Sequence, residues 1–317
     1  MRVNRLGGSG LEVSRLALGT MSWGAAVDEY VADELLETFL EAGGTTIDTA
    51  PIYGDGACEH LLGSLLTRHG IRDRVVLAGK AGVVRREGRV VTDASLRSLL
   101  QQLDRTLEDL GTDHLDLWQV HRWDDSVPVE ETMAALDQAV RSGRVRYAGI
   151  SNYNGWQTVA AQSAYTRLGG GVPLVSTQIE YSLVRRDPEI ETIPATAHAQ
   201  MSVLAWSPLG RGVLTGKYRG GVPSDSRAAD PRWEAFVAPY LTPDKARIVE
   251  ALAAAAEGLG VPVPHVALSW LLGRPAVGSA IVGARTVAQL RELLGADALD
   301  LPTEIASALD DVSEGAR

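Results

Sequence analysis

The most constraining feature of this chain is an alternation. Short apolar runs recur along it, and between them lie stretches of helical period that end on glycine. Leu96, Leu99, Leu100, Leu103, Leu107 and Leu110 fall on one helix face, and Gly111 supplies a left-handed stop. Val129, Met133, Leu136 and Val140 repeat the pattern before Gly143. Leu35, Leu36, Phe39 and Leu40 do so before Gly43-Gly44, and Leu61, Leu62, Leu65 and Leu66 before Gly70. The apolar runs read as buried parallel strands over residues 15–18, 45–48, 75–80, 115–121, 145–150, 174–179, 201–205 and 278–282. Parallel neighbours need crossover connections, so eight such units predict an α/β fold of the (β/α)8 TIM-barrel type. An open doubly wound sheet ranks second, because no Gly-x-Gly-x-x-Gly follows any strand and Gly210-Arg211-Gly212 lacks the third glycine.

Two segments break the alternation. Residues 1–13 carry Gly7-Gly8-Ser9-Gly10 between short apolar pieces, which predicts an N-terminal β-hairpin ahead of the barrel. Residues 219–241 are rich in Gly, Pro, Asp and aromatics and lack a helical period, which predicts a long loop or lid after strand seven. No repeat beyond the βα unit and no low-complexity tract occurs, so residues 1–317 are expected to form one domain.

Charge narrows the partners. A net charge of −10 argues against a basic nucleic-acid face and against a polybasic membrane patch, which leaves small molecules as the expected partners. Nothing in the sequence specifies an oligomer. Cys58 is the only cysteine, so no intrachain disulfide can form. The residues after Met1 carry no apolar signal core, and the alanine-rich stretch 248–259 is short and carries Glu250 and Glu257. These features lead to the expectation of a soluble cytoplasmic protein. The histidines at 60, 69, 114, 121, 198 and 265 form no closely spaced pair on one helix, so no metal is expected. Of 30 basic residues only Lys80, Lys217 and Lys245 are lysines. A chain that otherwise uses arginine keeps lysine where a compact, tunable ammonium is wanted.

Barrel chemistry sits where strands end. Asp48, Lys80 and His121 stand at the ends of the second, third and fourth strands, and Tyr53 follows Asp48 by five residues. Singly, each has a bland reading: a turn cap, a half-buried aromatic, a solvated cation, a satisfied loop histidine. Together they can protonate a carbonyl oxygen. Tyrosine is a protonated acid at neutral pH, and a nearby ammonium is expected to lower its pKa towards the working range. Asp48 would hold Lys80 charged, and His121 would direct the substrate oxygen. No side chain here can deliver hydride, so a cofactor is required. A Schiff-base role for Lys80, as in a lyase or aldolase, needs a neutral amine, which Asp48 opposes.

Asp48, Tyr53, Lys80 and His121, in this order and spacing, resemble the catalytic tetrad of the aldo-keto reductases. The resemblance runs along nearly the whole chain. It includes Asp48-Thr-Ala-Pro-Ile-Tyr53-Gly54 followed by Glu59-His-Leu-Leu-Gly63, the strand-five motif Gly149-Ile-Ser-Asn152, and the strand-seven loop from Ser207 to Lys217. It implies a (β/α)8 barrel capped by a hairpin, which binds NADPH (NADP+) in extended form without a dinucleotide fingerprint. It places Ser151, Asn152 and Gln178 on the nicotinamide carboxamide and Trp206, where tyrosine is usual, against the nicotinamide ring. It places Ser207, Leu209, Gly212 and Lys217 on the pyrophosphate. Gly283, Arg285 and Gln289 lie where strand eight meets a helix, with Arg285 the candidate for the adenosine 2′-phosphate. Leu293 stands where an adenine-contacting Asn is usual, and Gly283-Ala284 replaces a Lys-Ser pair, so the preference for NADPH over NADH rests on Arg285. Pro51 and Cys58 also depart from the usual residues, without touching the tetrad.

Trp23, Trp123 and the loop around Trp233, Phe236 and Tyr240 are expected to line the substrate opening, suiting an aryl carbonyl or a keto-sugar. The expected activity is NADPH-dependent reduction of an aldehyde or ketone to an alcohol. The alternative is a non-catalytic NADPH-binding sensor or regulatory subunit.

Overall fold

The computed structural model describes residues 1–169, 171–224, 226–231 and 233–316. A closed barrel of eight parallel strands forms, each strand bonded to its neighbours in sequence. The strands are β1 (Leu16–Gly19), β2 (Thr46–Asp48), β3 (Val76–Ala81), β4 (Leu115–Val120), β5 (Val145–Ser151), β6 (Ser176–Glu180), β7 (Ser202–Trp206) and β8 (Val277–Val282). The ring shuts where Ala280, Ile281 and Val282 of β8 register with Leu16, Ala17 and Leu18 of β1. Every apolar run read from the sequence becomes a strand, with ends shifted by a residue or two.

The crossovers are α1 (Glu29–Glu41), α2 (Ala57–His69), α3 (Leu96–Leu110), α4 (Val129–Arg141), α5 (Gly155–Arg167) and α6 (Thr192–His198). Between β7 and β8 lie α7 (Glu234–Val237), α8 (Pro243–Leu259) and α9 (Val263–Leu272), and after β8 come α10 (Val287–Leu294) and α11 (Thr303–Val312). Local chemistry sets their ends. Ser95 caps α3 by accepting from Ser98 N, and Gly111 closes it at φ 61°. Asn154 and Gln157 form a reciprocal capping box that starts α5.

Two cores result. The larger lies between barrel and helices and encloses Trp23, Trp118 and Trp270. The smaller fills the barrel floor, where Leu6, Leu11 and Val13 pack on Ala78, Leu117, Val175 and Leu204. Leu6 and Val13 flank the tip and the return strand of the predicted N-terminal hairpin, Val3–Arg5 against Glu12–Ser14. That plug makes one end of the barrel apolar and shut. Polar chemistry is left to the opposite end, where the strands finish.

A second hairpin, Val83–Arg86 against Arg89–Thr92, was not foreseen. Glu87 and Gly88 sit at φ 48° and 77°, the pair of left-handed residues that a tight two-residue turn demands. The described residues of the segment 219–241 include short turns at Arg227–Ala229, α7 and Ala238–Tyr240. Among the described residues no single helix is long and apolar enough to cross a membrane, and α8 is bent by 101° from α9.

Candidate active site

Asp48 ends β2, Lys80 lies near the end of β3 and His121 follows β4, so adjacent strands deliver all three side chains to the open end of the barrel. Tyr53 arrives from a turn in which Gly54, Asp55 and Gly56 all adopt positive φ. The four residues meet. Lys80 Nζ donates to Asp48 Oδ2 at 2.6 Å, to Thr49 O at 3.2 Å and to Tyr53 Oη at 3.2 Å. The Tyr53 and His121 rings lie edge to face, with centroids 6.0 Å apart.

The direction of one hydrogen follows. An ammonium has donors only, so Tyr53 Oη must accept from Lys80, and its own hydrogen points elsewhere, free to be given away. Lys80 is 0% exposed. Burial works against its charge, but Asp48 prevails and holds it above the ordinary lysine range. That excludes the neutral amine which Schiff-base chemistry needs. Burial pushes Tyr53 above its ordinary value, and Lys80 offsets this only in part. The expected lowering of the phenol's pKa is therefore corrected: the ammonium pulls downward, yet the net direction is upward. His121 is held well below its ordinary value, first by burial and then by the charges of Lys80 and Arg122, so its ring is neutral at pH 7.

The residues expected around the nicotinamide form a network. Gln178 donates through Nε2 to Asp48 Oδ1 at 2.8 Å, tying it to the tetrad. Ser151, fully buried, donates to Gln178 O at 2.9 Å. Asn152 donates to His121 O at 2.9 Å and to Ser151 Oγ at 3.0 Å, and accepts from Trp206 Nε1 at 3.0 Å. Trp206 is half-buried at the end of β7.

Past Trp206 the backbone takes an unusual path. Ser207, Gly210, Arg211, Gly212 and Gly216 all have positive φ. The turns close on themselves, with Gly210 N donating to Ser207 O and Gly212 N to Leu209 O, and Gly212 leaves no Cβ between backbone and the exposed Lys217, whose Nζ would lie 3.2 Å from one. Leu209 is buried beneath this strap. At the β8 end, Thr286 caps α10, Gln289 Oε1 accepts from Arg285 N at 3.0 Å, and Gly283 lies exposed. Arg227, which the sequence reading passed over, belongs with this group. Burial lowers its pKa first and the charge of Arg285 lowers it further, so the two guanidinium groups lie close enough to repel. Tyr218 Oη and Ser226 Oγ, both buried, have no hydrogen-bond partner among the described residues. Hydroxyls without acceptors beside paired cations fit a phosphate. Nothing in the sequence distinguishes Arg227 from the chain's other arginines, because its place beside Arg285 depends on the fold.

Two of the aromatics expected at the substrate opening are enclosed in the core. Trp23 is 0% exposed, enclosed in the core with its carbonyl accepting from Cys58 Sγ at 2.9 Å, so it offers no surface to an opening. Tyr240 is 3% exposed and likewise buried. Trp123 is half-buried, pinned by Nε1 to Asp125 at 2.8 Å and edge-on to Tyr153 and Trp156, each at 5.1 Å. Trp233 lies edge-on to Phe236 at 5.7 Å. Away from the site, Asp33, Glu37 and His69 gather on the outer surface, where Arg68 already pairs with Asp33.

Comparison with known proteins gives a consistent picture. Residues 15–314 match the model of the aldo/keto reductase family. The chain is 35% identical over 326 residues, covering 99% of it and 97% of the relative, to the uncharacterized oxidoreductase YrpG of Bacillus subtilis (strain 168). It is 31% identical to the aldo-keto reductase YhdN of the same organism, covering 92% of this chain and 88% of that one. It is also 32% identical to a probable voltage-gated potassium channel subunit beta of Arabidopsis thaliana, covering 96% and 94% respectively.

Proposed function

The chain belongs to the aldo/keto reductase family, a family of nicotinamide-dependent oxidoreductases, and from that premise we propose that it uses NADPH to reduce an aldehyde or ketone to the alcohol. The observation that carries this reading is the donation from Lys80 to Tyr53, which leaves the phenol hydrogen uncommitted to Lys80 and available as the acid. When bound, the nicotinamide supplies hydride. Tyr53 gives its proton to the carbonyl oxygen, Lys80 stabilises the phenolate left behind, and Asp48 with Gln178 keeps Lys80 in place. His121, neutral, hydrogen-bonds the carbonyl oxygen and fixes its direction. Trp206 offers a ring face, the strap from Ser207 to Lys217 holds the pyrophosphate, and Arg285 with Arg227 receives the 2′-phosphate. That last pair favours NADPH over NADH. Trp123 and Trp233 are flat surfaces suited to an aryl ketone or a keto-sugar.

The likeness to a channel subunit supports a second reading, a regulatory subunit that binds NADPH without turning over. Consumption of NADPH, followed against a panel of aryl aldehydes, ketones and keto-sugars and repeated with NADH, separates the two. Turnover with NADPH, slower with NADH, is expected. Tight NADPH binding with no consumption across the panel would support the subunit reading instead.

A further inference from the structure

We infer that Trp156 extends the substrate opening into an outer subsite for a second ring, so that the favoured substrates are glycosides whose aglycone carries the carbonyl; this rests on the reductase reading of the site.

Of the seven tryptophans, Trp23, Trp118 and Trp270 are enclosed, and Trp123, Trp206 and Trp233 are half-buried. Trp156 alone is exposed, at 56%. Leaving that much indole in water forgoes the stabilisation that burying it would bring. Trp156 stands in the first turn of α5, directly after the loop that leaves β5. Such helix starts lie at the end of the barrel where the strands finish, so Trp156 shares that end with the tetrad. Its place is fixed. Its backbone N–H donates to Glu191 Oε1 at 2.9 Å, and Gly155 makes room for that side chain, since a Cβ there would lie 2.3 Å from Glu191 Cγ.

The exposed indole is not isolated. Its ring meets that of Trp123 at 5.1 Å and 72°, and Trp123 meets the buried Tyr153 at 5.1 Å and 85°. Tyr153 directly follows Asn152, whose amide donates to His121 O. Trp123 stands two residues past His121, within about 7 Å of it along the chain. The three rings therefore form a row that begins beside the tetrad and runs outward to solvent. The polar groups on this row suit a sugar. Trp123 Nε1 donates to Oδ1 of the exposed Asp125 at 2.8 Å, while Oδ2 has no partner among the described residues. Trp156 Nε1 likewise has no acceptor among them. An open indole face packs against the C–H face of a pyranose, the carboxylate accepts from a hydroxyl, and the indole N–H donates to another. With Asp124, Asp125 and Glu191 on these segments against Arg122, an anionic second ring is disfavoured. A carbonyl held at Tyr53 and His121 would thus place its own ring by Trp123 and a glycosyl ring on Trp156.

The test compares 4-formylphenyl β-D-glucopyranoside with 4-methoxybenzaldehyde. Both carry the aldehyde on a para-alkoxy ring, and they differ in the sugar. The quantity measured, at saturating NADPH, is the ratio of kcat/KM for the glucoside to kcat/KM for the ether. It is taken in the wild type, in Trp156→Ala and in Trp156→Tyr, which keeps a ring. The ratio should fall about tenfold in Trp156→Ala, through KM for the glucoside, and less in Trp156→Tyr. A ratio unchanged in Trp156→Ala would overturn the subsite, as would equal losses in the two variants. An unchanged ratio together with an altered sedimentation coefficient would overturn it in favour of a contact between copies of this chain. Failure of the wild type to consume NADPH with either aldehyde or with the wider panel would instead refute the reductase reading. Saturation-transfer NMR of the glucoside then decides the subsite without turnover. Sugar protons saturated by the wild type and not by Trp156→Ala would support it, and any other pattern would overturn it.

Discussion

Tyr53 sits between opposing influences, and their balance decides what it can do. Burial holds its proton on, and Lys80 favours letting it go. For a general acid the outcome is suitable, because the phenol is fully protonated at neutral pH while its product anion has an ammonium 3.2 Å away. With His121 neutral as well, neither group titrates near neutrality, so these two by themselves leave kcat/KM for reduction unchanged between about pH 7 and 9 and lower it at more alkaline pH, as Tyr53 loses its proton. One buried group does titrate in the middle. Glu59 is 0% exposed, and burial raises its pKa to about 7, against the donated hydrogen bond from Thr106. An inflection near pH 7 in the rate profile should disappear in Glu59→Gln. An inflection that survives there would mean His121 titrates higher than its surroundings dictate. At this scale the sequence was informative about identity and not about balance. Spacing brought Asp48, Tyr53, Lys80 and His121 together, but whether burial or charge governs a phenol depends on what packs around it.

At the scale of elements, strands and helices were legible because their periods differ and glycine ends each helix. Close approaches were less so. Gly63 reads as one more small residue on α2, yet a Cβ there would lie 2.5 Å from Asp109 O and 2.8 Å from Leu110 Cα on α3. Gly63→Ala should push the helices apart and destabilise the fold by about 1–3 kcal/mol in chemical denaturation. The strap after β7 depends on a contact no local pattern reveals. Arg211, at φ 59°, makes a bidentate pair with Glu180 at 2.8 and 2.9 Å and donates to Phe236 O at 2.5 Å. Its guanidinium also lies 3.6 Å from the centre of the Phe236 ring. These partners are 31 and 25 residues away in sequence. Arg211→Ala removes the bidentate cation from the largely buried Glu180 carboxylate, so stability should drop by about 3 kcal/mol and segment 219–241 should become the first site of limited proteolysis. A cleavage pattern identical to that of the wild type would show that Arg211 does not hold the segment.

For the molecule as a whole, the hairpin plug and the closed ring explain why chemistry collects at one end. The floor is apolar, so buried polar groups such as Lys80, Asp48 and Gln178 can pair only near the strand ends. The sequence conveyed this architecture and most of the strap. It misplaced Trp23 because an aromatic next to strand one looks the same whether it faces an opening or the helices behind it. Global stability carries the mark of Glu59. Its pKa is raised on folding, so its contribution is complete below the unfolded value of 4.5 and is lost as pH rises through about 7. The unfolding free energy should therefore decline from pH 5 to pH 8 by on the order of 3 kcal/mol, and Glu59→Gln should remove that share of the decline. The central claim, that Tyr53 is the proton source beside a bound dinucleotide, meets its most direct test in Tyr53→Phe. NADPH affinity and carbonyl turnover are measured on the same sample. Affinity retained within about threefold with turnover lost by about a thousandfold or more is the predicted result, whereas turnover at the wild-type rate would contradict it.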